Sequence, residues 1–221
     1  MMMSQPLSAQ EISRVARQLF QGAPAAQRLM QTYRPFICPF ELLLPWVPPA
    51  AKMLDVGCGA GLVLGVLGHL RGIASGYGID ASRGAIDVAR AMASRNGMSG
   101  ILQLEPASSL TDIPENAFDA VSLIDVLHHV PPVQQREFFL NVARRVKPGG
   151  CLIFKDIAER PRLFAFCNTM HDVILAHEVP HYVAQEKVMS WAQTAGLEIG
   201  PTGIARRFWY VHWFALLRKP R

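Results

Sequence analysis

The residues best placed to do chemistry are those of the run Met53-Leu54-Asp55-Val56-Gly57-Cys58-Gly59-Ala60-Gly61. It joins an apolar strand to an acid and three closely spaced glycines. Glycine accepts positive φ and lets a ligand approach the backbone where a Cβ would collide. A turn of this kind between a strand and a helix is the signature of a nucleotide-like ligand. A dinucleotide fingerprint, G-x-G-x-x-G, needs its third glycine at position 62, where this chain has Leu62. A second chemical resource is histidine, the side chain that titrates near neutral pH. His129, His171, His181 and His212 are the candidates for moving a proton.

The elements that must position these residues follow from periodicity. Ser8–Phe20 has helical spacing, with Ser8 and Glu11 as a capping box. A second helix is predicted over Pro24–Tyr33 and a third from Pro35 toward Leu44, with Pro45, Pro48 and Pro49 marking the border of the core. Strands are then expected at Ala51–Val56, Ile73–Ile79, Ile101–Leu104, Phe118–Ile124 and Cys151–Lys155. Helices over Gly61–Leu70, Arg83–Asn96 and Val133–Val146 alternate with them, and Pro148-Gly149-Gly150 stops the last. This βαβ rhythm predicts a doubly wound parallel α/β sheet. After a helix at Lys187–Ala195, two strand-like runs, Leu197–Ile204 and Phe208–Leu217, are joined by the short Ala205-Arg206-Arg207 link. No crossover helix fits there, so the pair is predicted to be antiparallel. The aromatic run Phe208 to Phe214 is read as filling both faces of that last strand.

Composition bounds the function. At 221 residues, half hydrophobic and 18% charged, the chain suits one compact domain: an N-terminal helical cap (1–49), a ligand-binding core (50–156), then an insert and terminal hairpin (157–221). No apolar run reaches the roughly 18–20 residues that span a bilayer, and no signal-peptide pattern opens the chain, so a cytoplasmic protein is expected. Cys38, Cys58, Cys151 and Cys167 form no CxxC pair, which argues against a zinc ribbon or disulfide scaffold. The net charge of +5 is scattered rather than gathered into a stripe, and no nucleic-acid partner is expected.

Taken together, four runs resemble the class I S-adenosylmethionine-dependent methyltransferases. They are Leu54–Gly61, Ile79-Asp80, Phe118-Asp119-Ala120-Val121 through Asp125-Val126-Leu127-His128-His129, and Leu140 to Gly150 with its Lys147-Pro148-Gly149-Gly150. The resemblance implies a Rossmann-like seven-stranded sheet in the order 3-2-1-4-5-7-6 with strand seven antiparallel. It implies S-adenosyl-L-methionine as methyl donor, lying against Gly57, Cys58, Gly59 and Gly61. Asp55 would order the turn and meet the amino group of the donor, and Asp80, followed by Ala81, would offer both carboxylate oxygens to the ribose hydroxyls. Ile124 and Asp125 would contact the methionine end. Where relatives carry an acid toward adenine, this chain has Ala107 followed by Ser108, so backbone near Ala107 and the Ser108 hydroxyl take that place, with Glu105 as a substitute.

The acceptor is bounded by elimination. The Asn/Asp-Pro-Pro-aromatic motif of amine methylases is absent, since Ile124-Asp125-Val126-Leu127 stands there. Similar enzymes build the acceptor pocket from the N-terminal helices and the insert after strand five. Here Phe164, Phe166, Met170 and Leu175 make that insert apolar, which suits an aromatic or polyketide-like small molecule methylated on oxygen or carbon. A phenol, with a pKa near ~10, needs a base. His171 and His181 rank first as catalytic because they lie in the insert. Asp125, Asp156 and Asp172 do not align to a catechol-methylase ligand set, so no metal is expected. A faint similarity around Lys155-Asp156-Ile157 to bacterial polyketide-pathway methyltransferases raises an acidic acyl carrier protein as a partner. The alternatives are a nicotinamide-dependent oxidoreductase, disfavoured by Leu62 and the antiparallel ending, and a non-catalytic S-adenosylmethionine-binding protein.

Overall fold

The computed structural model describes residues 7–70, 72–107, 109–158, 181–208 and 210–221. Its seven strands take the order β3-β2-β1-β4-β5-β7-β6, with β7 antiparallel to both neighbours. The Rossmann-like α/β arrangement expected from the motif order is the one observed. Two compact units contribute to it, residues 1–108 and 109–221. Among the described residues no helix is long and apolar enough to cross a membrane.

The first unit opens with α1 (Ala9–Leu19), which starts where the capping box requires. The Ser8 hydroxyl accepts the Glu11 N–H at 3.2 Å while a Glu11 oxygen accepts the Ser8 N–H at 2.9 Å. Its buried stripe, Ile12, Val15, Ala16 and Leu19, follows the 3.6-residue period. Helix α2 runs over Ala25–Ile37 and passes through Pro35, where a break was expected. Pro35 sits in the last turn, so only the bond to the Gln31 carbonyl is lost, and the helix continues two residues further. The break falls at Pro39, the N-cap of the four-residue α3 (Phe40–Leu43), and a 3-10 turn over Leu44–Trp46 follows.

Strands β1 (Lys52–Val56), β2 (Ser75–Asp80) and β3 (Leu102–Pro106) then pair in parallel. Helices α4 (Leu62–Leu70) and α5 (Arg83–Arg95) are their crossovers. Helix α4 approaches closely because β2 is glycine-rich. A Cβ on Gly78 would stand 2.8 Å from Leu104, 2.9 Å from the Cys58 sulfur and 3.0 Å from Leu64. Gly61 is constrained twice: φ is +81°, and an added Cβ would lie 3.1 Å from that of Ala89. Gly61→Ala is therefore expected to destabilise the protein by roughly 2–4 kcal/mol, lowering Tm by roughly 5–12 °C in a thermal melt.

In the second unit β4 (Phe118–Ile124) and β5 (Val146–Ile157) pair in parallel, connected by α6 (Pro132–Arg144). Strand β5 begins five residues before the predicted start, because Pro148-Gly149-Gly150 lies within it and not before it. Phe118 pairs with Val146 and Ala120 with Cys151, so three extra residues bulge out of β5 between those pairs. Glycine makes that bulge possible: Gly149 has φ +76°, and a Cβ on Gly150 would meet the Asp119 carbonyl oxygen at 2.8 Å. Helix α7 (Gln185–Thr194) leads to β6 (Glu198–Arg207) and β7 (Tyr210–Arg218). The expected link Ala205-Arg206-Arg207 belongs to β6, where Arg207 pairs with Tyr210, and Phe208 takes φ +53° in the turn. Phe154 of β5 touches the rings of Phe139 of α6 and Trp213 of β7, and Phe139 touches Trp191 of α7. Helices α6 and α7 thus cover the face of β5 that carries Phe154.

Candidate active site

Open α/β sheets bind ligands beyond the carboxyl ends of their strands, and the chemistry of this chain gathers at such ends. In the first unit the turn after β1 is held by β2. The Gly57 and Cys58 N–H groups both donate to the Ile79 carbonyl, at 2.8 and 2.9 Å. Gly57, Gly59 and Gly61 all have positive φ, at +73°, +54° and +81°. Among the described residues a Cβ placed on Gly59 would meet only the Arg34 guanidinium, at 3.8 Å, which leaves its backbone room for a ligand. Asp80 closes β2 with each carboxylate oxygen already engaged. Oδ2 accepts the Gly59 N–H and Oδ1 accepts the Ser82 N–H, both at 2.8 Å. Each oxygen keeps a further lone pair, so a hydroxyl pair can still be received.

Around this turn Asp55 is buried at 2% exposure. Burial pushes the Cys58 thiol far above its usual range, and the Asp55 and Asp80 carboxylates push it the same way, so it stays protonated and is no nucleophile. Ala81 is exposed at the same strand end. The Ala107 N–H donates to the Asp80 carbonyl at 3.0 Å, which keeps the end of β3 beside the acid. Ser108 lies outside the described residues. Glu105 is held by the Tyr77 hydroxyl at 2.5 Å and by Gln103 at 2.7 Å, and these bonds keep its carboxyl below the usual range.

The second unit places four polar groups at the ends of β4 and β5. Asp125 directly follows Ile124, takes φ +58°, and donates its N–H to the Lys155 carbonyl at 2.9 Å. The Lys155 ammonium, fully buried, pairs with Asp125 Oδ1. On the opposite face of β5, Asp156 Oδ1 meets His128 Nδ1 at 2.5 Å, Oδ2 accepts the His128 N–H at 3.2 Å, and Oδ1 also accepts the Ile157 N–H at 2.7 Å. Burial opposes charge on the His128 ring, yet the Asp156 charge and hydrogen bond, helped by Asp125, outweigh burial and Lys155, so its pKa is raised above 6.5. With Nδ1 committed to Asp156, Nε2 is the nitrogen left to move a proton.

Of the histidines ranked from sequence, His171 lies outside the described residues, as do Asp172, Phe164, Phe166, Met170 and Leu175. His181 is exposed, and its backbone is tied to the dyad: its N–H donates to the His128 carbonyl at 2.7 Å and its carbonyl accepts from Gln135 at 2.8 Å. His129 stacks obliquely on His128 with ring centroids 4.1 Å apart. Ligand atoms of Asp125, His128 and Asp156 lie within 4.8 Å of one another, the spacing of a metal cluster. Lys155 already supplies the positive charge such a cluster asks for, so a cation would have to compete with its ammonium for Asp125.

The methyltransferase domain family matches residues 54–154, from the glycine turn to β5. The match covers a little under half of the chain. The open backbone at Gly59 beside the Asp80 carboxylate fits S-adenosylmethionine, the donor that the resemblance implies. A ubiquinone biosynthesis O-methyltransferase of Alkalilimnicola ehrlichii is 32% identical over 152 residues, 66% of this chain and 60% of that protein. The chain thus spans less than two thirds of that relative's length. Among solved structures, the cyclase SpnF superposes with TM-score 0.67 at 16% identity over 97% of both chains. An O-methyltransferase family protein from Burkholderia thailandensis gives 0.65 at 20% identity over 98% of this chain and 65% of that one. A cyclase and an O-methyltransferase family protein share this fold, so the reaction must be read from the site.

Sequence reasoning named His128 only within a run that carries the resemblance, weighed Asp156 only as a metal ligand, and gave Lys155 no role in the site. A signal was present. Strand β5 reads Cys151-Leu152-Ile153-Phe154 and then Lys155-Asp156, two charges entering a buried apolar strand. Buried charges persist where they are paired, which marks that strand end as a site.

Proposed function

We propose that the chain transfers the methyl group of S-adenosylmethionine to an oxygen of a small, apolar acceptor, with His128 as general base oriented by Asp156. When bound, the cofactor supplies an electrophilic sulfonium methyl. The glycine turn of the first unit would cradle it and Asp80 would hold its ribose. The observation that carries the oxygen reading is the His128–Asp156 pair. A hydroxyl is a poor nucleophile until it loses its proton, and a buried imidazole held by a carboxylate is built to take one. Asp156 fixes Nδ1 as the donor, leaving Nε2 to accept the hydroxyl proton and Asp156 to stabilise the imidazolium that results. Lys155 balances Asp125 beside the pair, so the new positive charge enters a region holding two carboxylates. A methyl acceptor of the aromatic or polyketide type fits this chemistry, since a phenol needs only a base near neutral pH. His171 and His181 stay candidates for positioning it.

The reading sets a sign for pH dependence. The base works only when neutral, and its pKa is raised, so kcat/KM should climb with pH through an apparent pKa above 6.5. The groups facing the ring are Asp156 and Asp125, which raise that pKa, and Lys155, which lowers it. Asp156→Asn removes the larger raising influence and should move the acid limb to lower pH while reducing the maximum. Turnover of S-adenosylmethionine with a panel of hydroxylated aromatic acceptors, followed by mass spectrometry across pH 5–9, measures both. A flat profile in the wild type would remove His128 from proton transfer.

A further inference from the structure

Helix α6 buries Gln135, Phe139, Val142 and Ala143, a stripe at helical spacing in which one member is polar. Gln135 is 6% exposed. An amide placed in a core stripe needs acceptors for both of its hydrogens, and both are met. Its Nε2 donates to the Leu127 carbonyl at 3.2 Å and to the His181 carbonyl at 2.8 Å. The acceptors lie 8 and 46 positions away along the chain, so one amide joins three separate stretches.

Those stretches meet at His128. Leu127 precedes it in the 3-10 turn Leu127–His129. The His128 N–H donates to Asp156 Oδ2 at 3.2 Å, and the His128 carbonyl accepts the His181 N–H at 2.7 Å. The backbone is thus pinned on the N-terminal side by Gln135 and Asp156. On the C-terminal side it is pinned by His181, which Gln135 holds in turn. A single 3-10 turn has poor hydrogen-bond geometry and little stiffness of its own. The ring contact, His128 Nδ1 to Asp156 Oδ1 at 2.5 Å, therefore depends on where these outside bonds set the turn. Leucine would continue the apolar stripe of α6 equally well, so packing alone does not call for an amide here.

We propose that Gln135 is a positioning residue for the base, its two N–H groups fixing the His128 turn so that the ring meets Asp156. This rests on the methyl-transfer reading above. Gln135 takes no proton and acts only through His128.

Gln135→Met and Gln135→Glu test it. Methionine has nearly the same length and donates nothing, and glutamate keeps the outline with at most one hydrogen to donate, so each leaves at least one carbonyl without its donor. A misplacement of about 1 Å can cost about 100-fold, so kcat is expected to fall about 10–100-fold in each variant while KM for donor and acceptor stays within a few fold. The proton between His128 Nδ1 and Asp156 is read as a far-downfield proton resonance, identified by its loss in His128→Gln. It is expected to move upfield or vanish in both variants. A folded variant with wild-type kcat overturns the proposal, as does a resonance that is unchanged in the variants or absent from the wild type. Loss of the native fold in both variants also overturns it, since Gln135 would then serve the fold and not the base. If the wild type methylates no hydroxylated acceptor but the resonance responds to both substitutions, the clamp on His128 stands and the methyl-transfer reading fails. If His128→Gln slows transfer and the Gln135 variants do not, the reverse holds.

Discussion

Replacing Asp80 with alanine is expected to weaken S-adenosylhomocysteine binding by at least about 100-fold, read by titration calorimetry. Two effects add. The ribose loses a charged acceptor, and a hydrogen bond to a charged group contributes about 1.5–3 kcal/mol. The turn that receives the rest of the cofactor also loses its anchor, because Asp80 Oδ2 holds the Gly59 N–H and Oδ1 holds the Ser82 N–H. Asp80→Asn separates the two effects. One carboxamide oxygen can keep a single backbone bond, so its affinity should fall between alanine and wild type, with a Tm closer to wild type. Unchanged affinity in Asp80→Ala would contradict the ribose assignment.

Truncating His128 is expected to lower kcat by about 10²–10⁴-fold while leaving donor affinity within a few fold, as for loss of a general base. The alanine variant also leaves Asp156 buried without its ring partner, which is itself destabilising by about 3–5 kcal/mol. His128→Gln is the better probe, because its amide can still donate to Asp156 while offering no basic nitrogen. A folded His128→Gln protein that binds S-adenosylhomocysteine normally but turns over slowly, with partial rescue by added imidazole, assigns the loss to chemistry. Loss of donor binding would instead assign it to structure.

The legible parts of this fold and the opaque ones differ in range. The glycine turn was readable because its reason is local: positive φ at positions 57, 59 and 61 needs residues without a Cβ. The antiparallel ending was readable because no helix fits between its last two strands. Pro35 and Pro148 misled for a related reason. Pro35 costs α2 one bond, to the Gln31 carbonyl, only two residues before the helix ends, and Pro148 sits in a bulge of β5 where the ladder is already interrupted, so neither breaks its element. The site was opaque where it depends on contacts distant along the chain. His128 and Asp156 are 28 positions apart, and only the parallel pairing of β4 with β5 brings their strand ends together.

Transfer of labelled methyl from S-adenosylmethionine to a hydroxylated aromatic acceptor, compared at pH 6 and pH 8 for wild type and His128→Gln, bears most directly on the function assigned here. The wild type should incorporate label faster at pH 8 than at pH 6, and His128→Gln should incorporate it about 100-fold more slowly with little dependence on pH. Equal incorporation by the two proteins at both pH values would show that the His128–Asp156 pair does not supply the base.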